Sequence, residues 1–177
     1  MIWAARDMNK KTLESSLGTY LVDNGFRKKA SSWYRQAEEV LQVVNLQKSN
    51  YGLQFYLNLC CVPAGMDVEG MPTPKEHKCP IRIRLTAAFP EQRDEIEEIL
   101  DLERTSITDS MREQQIAQLT REKILPFLDH MKNTISLRQA IEQGMFNRGA
   151  VNLAAQKHLA IVIPATPVLD PSQPAPG

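Results

Sequence analysis

Hydrophobic and polar positions divide the chain into a first helix, a block of strands and a second group of helices. Over residues 9–23 the hydrophobic residues fall on one stripe of a helix, and Gly25 is placed to end that helix in a left-handed conformation. Helical periodicity returns after Pro90. Between these helical segments, alternation and turn residues predict strands. The predicted strands are 32–35, 40–48, 53–62 and 81–86.

This order of elements predicts an α+β fold. Strands grouped before helices favour a single domain in which helices over 9–23 and 91–145 cover one face of an antiparallel sheet of about four strands. Short loops between the earlier strands indicate a meander whose other face is partly open. The predicted core includes Leu17, Leu21, Phe55, Leu57, Leu59, Ile83, Leu85, Ile116, Leu119 and Leu128.

Local signals predict several boundaries. Ser110 with Glu113, and Ser136 with Gln139, have the spacing of capping boxes, and Pro126 is expected to break or kink the helix that contains it. Residues 150–163 fit either a short helix or a strand. We expect a domain over 1–163 and a flexible proline-rich tail over 164–177, where five of fourteen residues are proline.

Composition and charge restrict the class of protein. The 177 residues include 21 Lys and Arg and 21 Asp and Glu, and this zero net charge argues against coating of nucleic acid or of an anionic membrane. The hydrophobic runs are too short for a signal peptide or a membrane span. Three cysteines, two of them adjacent, make a poor disulfide framework. We therefore expect a cytoplasmic protein.

Cys60, Cys61, Cys79 and His77 together offer the donor atoms of a zinc site. However, adjacent residues of a strand point to opposite faces, so Cys60 and Cys61 should not reach one ion. We expect no metal and no cofactor, and we interpret the thiols as buried apolar groups.

Several segments between Gly25 and Leu85 resemble a bacterial family. These segments are Gly25-Phe26-Arg27-Lys28-Lys29, Trp33-Tyr34-Arg35, Val43-Val44-Asn45-Leu46-Gln47-Lys48-Ser49, Gln54-Phe55-Tyr56-Leu57-Asn58-Leu59 and Cys79-Pro80-Ile81-Arg82-Ile83-Arg84-Leu85. They are similar to the family known as domain of unknown function 4304. The resemblance implies a bacterial cytoplasmic protein of about this size and implies no reaction. The long loop over 63–80 and the proline-rich tail depart from the simplest pattern of the family.

The candidate binding residues lie on the predicted solvent face of the sheet. Gln54, Tyr56 and Asn58 alternate along one strand, and Arg82 and Arg84 alternate along another. If these strands are neighbours, they form a polar platform on which two guanidinium groups can bind carboxylate or phosphate. Trp33, Tyr34 and Tyr56 beside Lys48 and these arginines could also stack bases, but the zero net charge disfavours nucleic acid. The alternative is that the sheet simply has a solvated face.

The acidic residues are concentrated in one segment. Residues 91–109 hold eight acidic side chains and two basic ones, which predicts an acidic helix that can dock onto a basic partner or simply be solvated.

The chain has no recognised catalytic motif, which favours a non-enzymatic function over an enzymatic one. The favoured hypothesis is a non-enzymatic module that recognises another protein, as an immunity or escort protein does. The alternative is a small-molecule or phosphate binder, or an enzyme, that uses the face carrying Arg82 and Arg84.

Overall fold

The computed structural model describes residues 8–161 and has an α+β fold around one antiparallel sheet. The predicted tail, 164–177, lies outside the described residues. The helices are α1 (Lys10–Asp23), α2 (Leu85–Ala88), α3 (Arg93–Leu100), α4 (Asp109–Leu119), α5 (Leu125–Asp129), α6 (Thr134–Glu142) and α7 (Leu153–His158). The strands are β1 (Arg27–Lys29), β2 (Ser32–Gln36), β3 (Val40–Lys48), β4 (Phe55–Pro63), β5 (Ile81–Arg84) and β6 (Ala150–Val151).

The sheet is a six-stranded meander in which the strands follow one another in chain order, and every neighbouring pair is antiparallel. The prediction of about four strands was therefore too low. β1 has only three residues, all exposed, so it carries no hydrophobic alternation. β6 has two residues and exists because it pairs with β5, a long-range contact that local pattern does not reveal.

One face of the sheet, here called the inner face, packs against the helices. Phe55, Leu57, Leu59 and Cys61 of β4 alternate onto it and belong to the main hydrophobic core. Gly18 of α1 packs on the Trp33 indole so closely that a Cβ there would lie 3.1 Å from Nε1. All ten predicted core residues are buried, which confirms the orientation of the sheet.

The helix boundaries differ from several predictions. α1 begins after Asn9, whose side chain accepts the Thr12 N–H, and it ends before Gly25, whose φ is 87°. α4 is capped by Thr108, and α6 by Asn133 in a capping box with Ser136, so both predicted capping boxes were misplaced. In each case the side chain of an earlier residue accepts a hydrogen bond from a free N–H of the first turn. Thr108 accepts the N–H of Met111, and Asn133 accepts the N–H of Ser136.

Two regions of the helical layer are also interrupted. A π-helical turn, Thr120–Ile124, separates α4 from α5, and Pro126 lies in the first turn of α5. The predicted acidic helix is not continuous either, because α3 ends at Leu100 and α4 begins only at Asp109. Residues 150–163 were predicted to form either a short helix or a strand. The described part of this segment contains both, because β6 is followed directly by α7.

Candidate functional site

The outer face of the sheet, opposite the helices, divides into two halves. In one half, Val43, Cys60 and Val62 form a second hydrophobic cluster with Cys79. Met66 and Val68 of the 64–80 loop pack against this cluster. We call this region the covered half, because the loop shields its hydrophobic side chains from solvent.

The other half, here called the polar half, is built on a row of polar residues that crosses five strands. The strand register aligns Lys29 with Ser32, Ser32 with Asn45, Asn45 with Asn58, and Asn58 with Arg84. Gln47 and Tyr56, which oppose each other on β3 and β4, complete the polar half. We call the five aligned residues Lys29, Ser32, Asn45, Asn58 and Arg84 the polar row.

Hydrogen bonds connect the middle of the polar row. Asn45 donates from Nδ2 to Ser32 Oγ at 2.9 Å. Asn58 donates from Nδ2 to Asn45 Oδ1 at 3.2 Å and to Gln47 Oε1 at 3.0 Å. Asn58 is consequently buried, at 5% exposure, although sequence alternation predicted it on a solvated face. These bonds hold the side chains in fixed orientations.

Arg84 lies at the β5 end of the polar row. Its guanidinium carbon is 4.1 Å from the centroid of the Tyr56 ring, which is the geometry of a cation–π contact. Its Nη2 is also 3.5 Å from Gln47 Oε1. The residue is exposed, so the stacked guanidinium presents its remaining N–H groups to solvent.

Arg82 also faces outward but has a different environment. It opposes Cys60 in the register, and its Nη1 forms an ion pair with Glu76 Oε1 at 3.3 Å. Glu76 belongs to the 64–80 loop, so Arg82 links this loop to the sheet beside the covered half. The two predicted arginines are therefore two residues apart but differ in role.

Gln54 and Lys48 lie apart from this group. Gln54 precedes β4, and its Nε2 donates to the carbonyl oxygens of Phe55 and Glu97 at 3.1 and 3.4 Å. Lys48 opposes Phe55 at the end of β3, so strand alternation assigns it to the inner side of the sheet. Of the six predicted residues, the fold brings Tyr56, Asn58 and Arg84 together.

Sequence reasoning missed Lys29, Ser32, Asn45 and Gln47 as neighbours of these three residues. A signal for Asn45 and Gln47 was present, because they alternate with Val44 and Leu46 of β3. The register between β3 and β4, which aligns Asn45 with Asn58, cannot be read from either strand alone.

The 64–80 loop borders the polar half on the β1 side. Lys29 donates from Nζ to Thr73 Oγ1 at 2.7 Å, and Tyr34 donates from Oη to the Pro74 carbonyl oxygen at 3.0 Å. A groove of about 630 Å³ runs between this loop and the strands, with Asn45 and Gln47 among its lining residues. The polar half is thus a recessed surface on this side.

The three thiols are buried on both faces of the sheet. Cys61 belongs to the inner core, whereas Cys60 and Cys79 belong to the covered half. Burial raises the pKa of Cys61 to about 12, and a hydrogen bond with Cys79 together with burial raises the pKa of Cys60 well above its ordinary value. Within residues 8–161, no three His, Cys, Asp or Glu side chains converge as metal ligands.

In the same part of the chain, no helix combines the length and hydrophobicity that crossing a bilayer requires.

The comparisons with known proteins identify a family. No curated protein and no solved structure matches the chain. The model of the family described as Domain of unknown function (DUF4304) matches residues 17–130, which is more than half of the chain. This region contains β1 to β5, and therefore the whole polar half. The chain belongs to the family described as Domain of unknown function (DUF4304).

Proposed function

We propose that this protein is a non-enzymatic binding module of the bacterial cytoplasm that recognises another protein through the polar half of its sheet. In this role it neutralises or escorts its partner, as an immunity or escort protein does. The observation that carries the proposal is the exposed Arg84 guanidinium, stacked on Tyr56 beside a hydrogen-bonded row of side chains.

The proposal has an energetic basis. Binding immobilises side chains, and each side chain that is already ordered reduces that entropic cost. The bonds from Asn58 to Asn45 and Gln47 order the middle of the surface before a partner arrives. Arginine and tyrosine are also the side chains that most often dominate binding energy at protein interfaces. Arg84 on Tyr56 combines both in one exposed contact.

The chemistry of the row favours binding over catalysis. Serine, asparagine and glutamine side chains offer hydrogen-bond donors and acceptors, but asparagine and glutamine exchange no proton near neutral pH. Ser32 already accepts a hydrogen bond from Asn45, and within residues 8–161 no histidine is hydrogen-bonded to it, although His77 lines the same groove. The row is therefore better suited to hold a partner than to transform a substrate.

Capture of a partner from a lysate of the source organism tests this function. If Arg84 is a hot spot, Arg84→Ala should weaken binding of the partner by about 2 kcal/mol. We therefore expect this variant to recover less of a partner that the wild-type protein captures. Arg121→Ala is the matched control, because Arg121 also lies over a tyrosine, Tyr20, at 5.5 Å but belongs to the helical layer. Equal recovery with both variants would contradict recognition through the polar half.

The alternative function is a small-molecule or phosphate binder, or an enzyme, that uses the same face. Native mass spectrometry of the purified protein separates the two hypotheses. A bound small molecule that is lost in Arg84→Ala, without any captured protein, would favour the alternative. A captured protein that is lost in the same variant would favour protein recognition.

A further inference from the structure

A cavity of about 510 Å³ opens at the β5 end of the polar half. Its lining residues include three arginines, Arg84, Arg93 and Arg148, and one glutamate, Glu97. Its volume is within the range of about 300–1,000 Å³ that is typical of small-ligand sites. The formal charge of these four side chains is +2, because three are positive and one is negative.

The carboxylate already has a partner, and two arginines do not. Arg93 donates from Nε to Glu97 Oε1 at 2.8 Å. Arg84 stacks on Tyr56, and its only polar contact within residues 8–161 is the long one to Gln47. Arg148 forms no hydrogen bond or ion pair with any residue in that range. Two of the three arginines that line the cavity, Arg84 and Arg148, therefore keep free donor sites and form no ion pair within residues 8–161.

The fold, rather than local sequence, brings these arginines together. Arg84 ends β5, Arg93 begins α3, and Arg148 precedes β6. The next residue, Gly149, passes the sheet so closely that a Cβ there would overlap the carbonyl oxygen of Arg82. This close backbone approach holds the backbone of residue 148 beside β5, and the exposed arginine side chains extend from these fixed positions to line one cavity.

We propose that this cavity binds a dianionic phosphate group, either as the free anion or as a monoester of a small molecule. Two unneutralised guanidinium groups match the charge of the dianion, and the planar donor fork of arginine matches the geometry of phosphate oxygens. Bound phosphate would also relieve the repulsion between the positive groups. The proposal does not depend on a protein partner.

Titration of the full chain with inorganic phosphate tests the proposal, with chloride at equal ionic strength as the comparison. Chemical shifts of the arginine Nε–H groups in ¹⁵N NMR spectra report the site directly. We expect saturable shifts at Arg84, Arg93 and Arg148 with phosphate and only weak, unsaturable shifts with chloride. A parallel titration with phenyl phosphate distinguishes the two sources. If phenyl phosphate binds more tightly than inorganic phosphate, the ligand is a monoester, and if it binds more weakly, the ligand is the free anion.

Two substitutions should change the affinity for phosphate in opposite directions. Arg148→Gln should weaken phosphate binding by about tenfold or more, the loss expected for one charge-assisted hydrogen bond. Glu97→Gln removes the only carboxylate of the four groups and should tighten binding severalfold. Arg121→Gln, in the helical layer, should leave the affinity unchanged. Thermal melting of each variant verifies that it folds.

The outcomes separate this proposal from protein recognition. Phosphate shifts that match those of chloride, or an affinity that Arg148→Gln leaves unchanged, would overturn the phosphate site even if Arg84→Ala still abolishes capture of a partner. Conversely, saturable phosphate binding with the predicted variant effects supports the site even if no partner protein is recovered.

Discussion

The covered half and the polar half lie on the same face of the same strands, but the 64–80 loop packs over the hydrophobic side chains of only the covered half. On β4, Cys60 and Val62 are enclosed by the 64–80 loop, whereas Tyr56 and Asn58 lie beyond its hydrophobic contacts. Removing hydrophobic surface from water stabilises a fold by about 25 cal/mol per Å², so a cover over the hydrophobic residues is favourable. Polar side chains that bond to one another need no such cover.

The difference shows that the outer face of an antiparallel sheet is not one surface. A protein that left Val43 and Cys60 exposed would present a hydrophobic patch, which promotes association with other chains. The loop prevents this locally and leaves the polar half for other contacts. Function is therefore more naturally sought where the chain does not cover its own sheet.

A carboxylate introduced into each half should give the largest difference in the free energy of unfolding between the two halves. Val43→Asp buries a carboxylate among hydrophobic side chains and should destabilise the protein by more than about 3 kcal/mol. Gln47→Asp, on the same strand and face, should change stability by less than about 1 kcal/mol because Gln47 is exposed. Urea unfolding measures both. Similar losses in the two variants would mean that the halves do not differ in burial.

Alkaline pH should destabilise the protein through the buried thiols. In the unfolded chain Cys61 ionises near its ordinary pKa of 9.0, whereas burial raises its native pKa to about 12. Between these two pH values the native thiol keeps its proton while the unfolded thiol loses it. The contribution of Cys61 to the free energy of unfolding is therefore fully present below about pH 9 and decreases as the pH rises. The expected slope is up to about 1.4 kcal/mol per pH unit for each such thiol, until the native thiol ionises.

Urea unfolding between about pH 8 and pH 11 measures this slope and compares the two faces. Cys61→Ala removes the inner thiol and Cys60→Ala the one in the covered half, and each should reduce the slope. An unchanged slope in Cys60→Ala alone would show that the loop lets solvent reach the covered half.

Interrupting the polar row should have a smaller effect. Asn58→Ala removes the donor for Asn45 Oδ1 and Gln47 Oε1, so we expect a loss of about 1–2 kcal/mol. Thermal and urea unfolding measure the loss, and Gln47→Ala, which removes the acceptor of only one of these two hydrogen bonds, should cost less than Asn58→Ala. No loss in Asn58→Ala would indicate that water replaces these hydrogen bonds and that the row is not rigid.

The smallest contrast concerns the two arginines of β5. Arg82→Ala breaks the partly exposed ion pair with Glu76 and should cost up to about 1 kcal/mol. Arg84→Ala should change stability by less than about 0.5 kcal/mol. Amide hydrogen exchange adds a second measurement, because only Arg82→Ala should accelerate exchange in the 64–80 loop. Faster loop exchange in Arg84→Ala would show that the halves are coupled.

Sequence periodicity was sufficient for much of the fold. The alternation of Phe55, Leu57 and Leu59 identified the inner face of β4, and the shift to helical spacing after Pro90 separated the sheet from the later helices. Gly25 was correctly identified as the end of α1, because its left-handed backbone is a local property. Each of these features depends on residues that are close in sequence.

Two buried polar residues illustrate what periodicity could not predict. Gln42 interrupts a hydrophobic run, yet it is buried on the inner face and donates from Nε2 to the carbonyl oxygens of Leu128 and Met131 at 2.6 and 3.1 Å. Arg112 lies between Ser110 and Glu113, the pair predicted to form a capping box, and is 1% exposed. Its Nη1 donates to the carbonyl oxygens of Glu98 and Ile99, at the end of α3. Only distant backbone carbonyls make these positions favourable.

The same distinction applies to the candidate site. Local alternation was enough to identify which residue types face outward on β4 and β5, because a strand turns successive side chains to opposite faces. Long-range contacts, by contrast, bury Asn58 in the polar row, pair Arg82 with Glu76 and bring Arg148 to the cavity that Arg84 lines. Strand register, loop placement and the closing strand β6 involve residues far apart in the chain, and no local pattern encodes those distances.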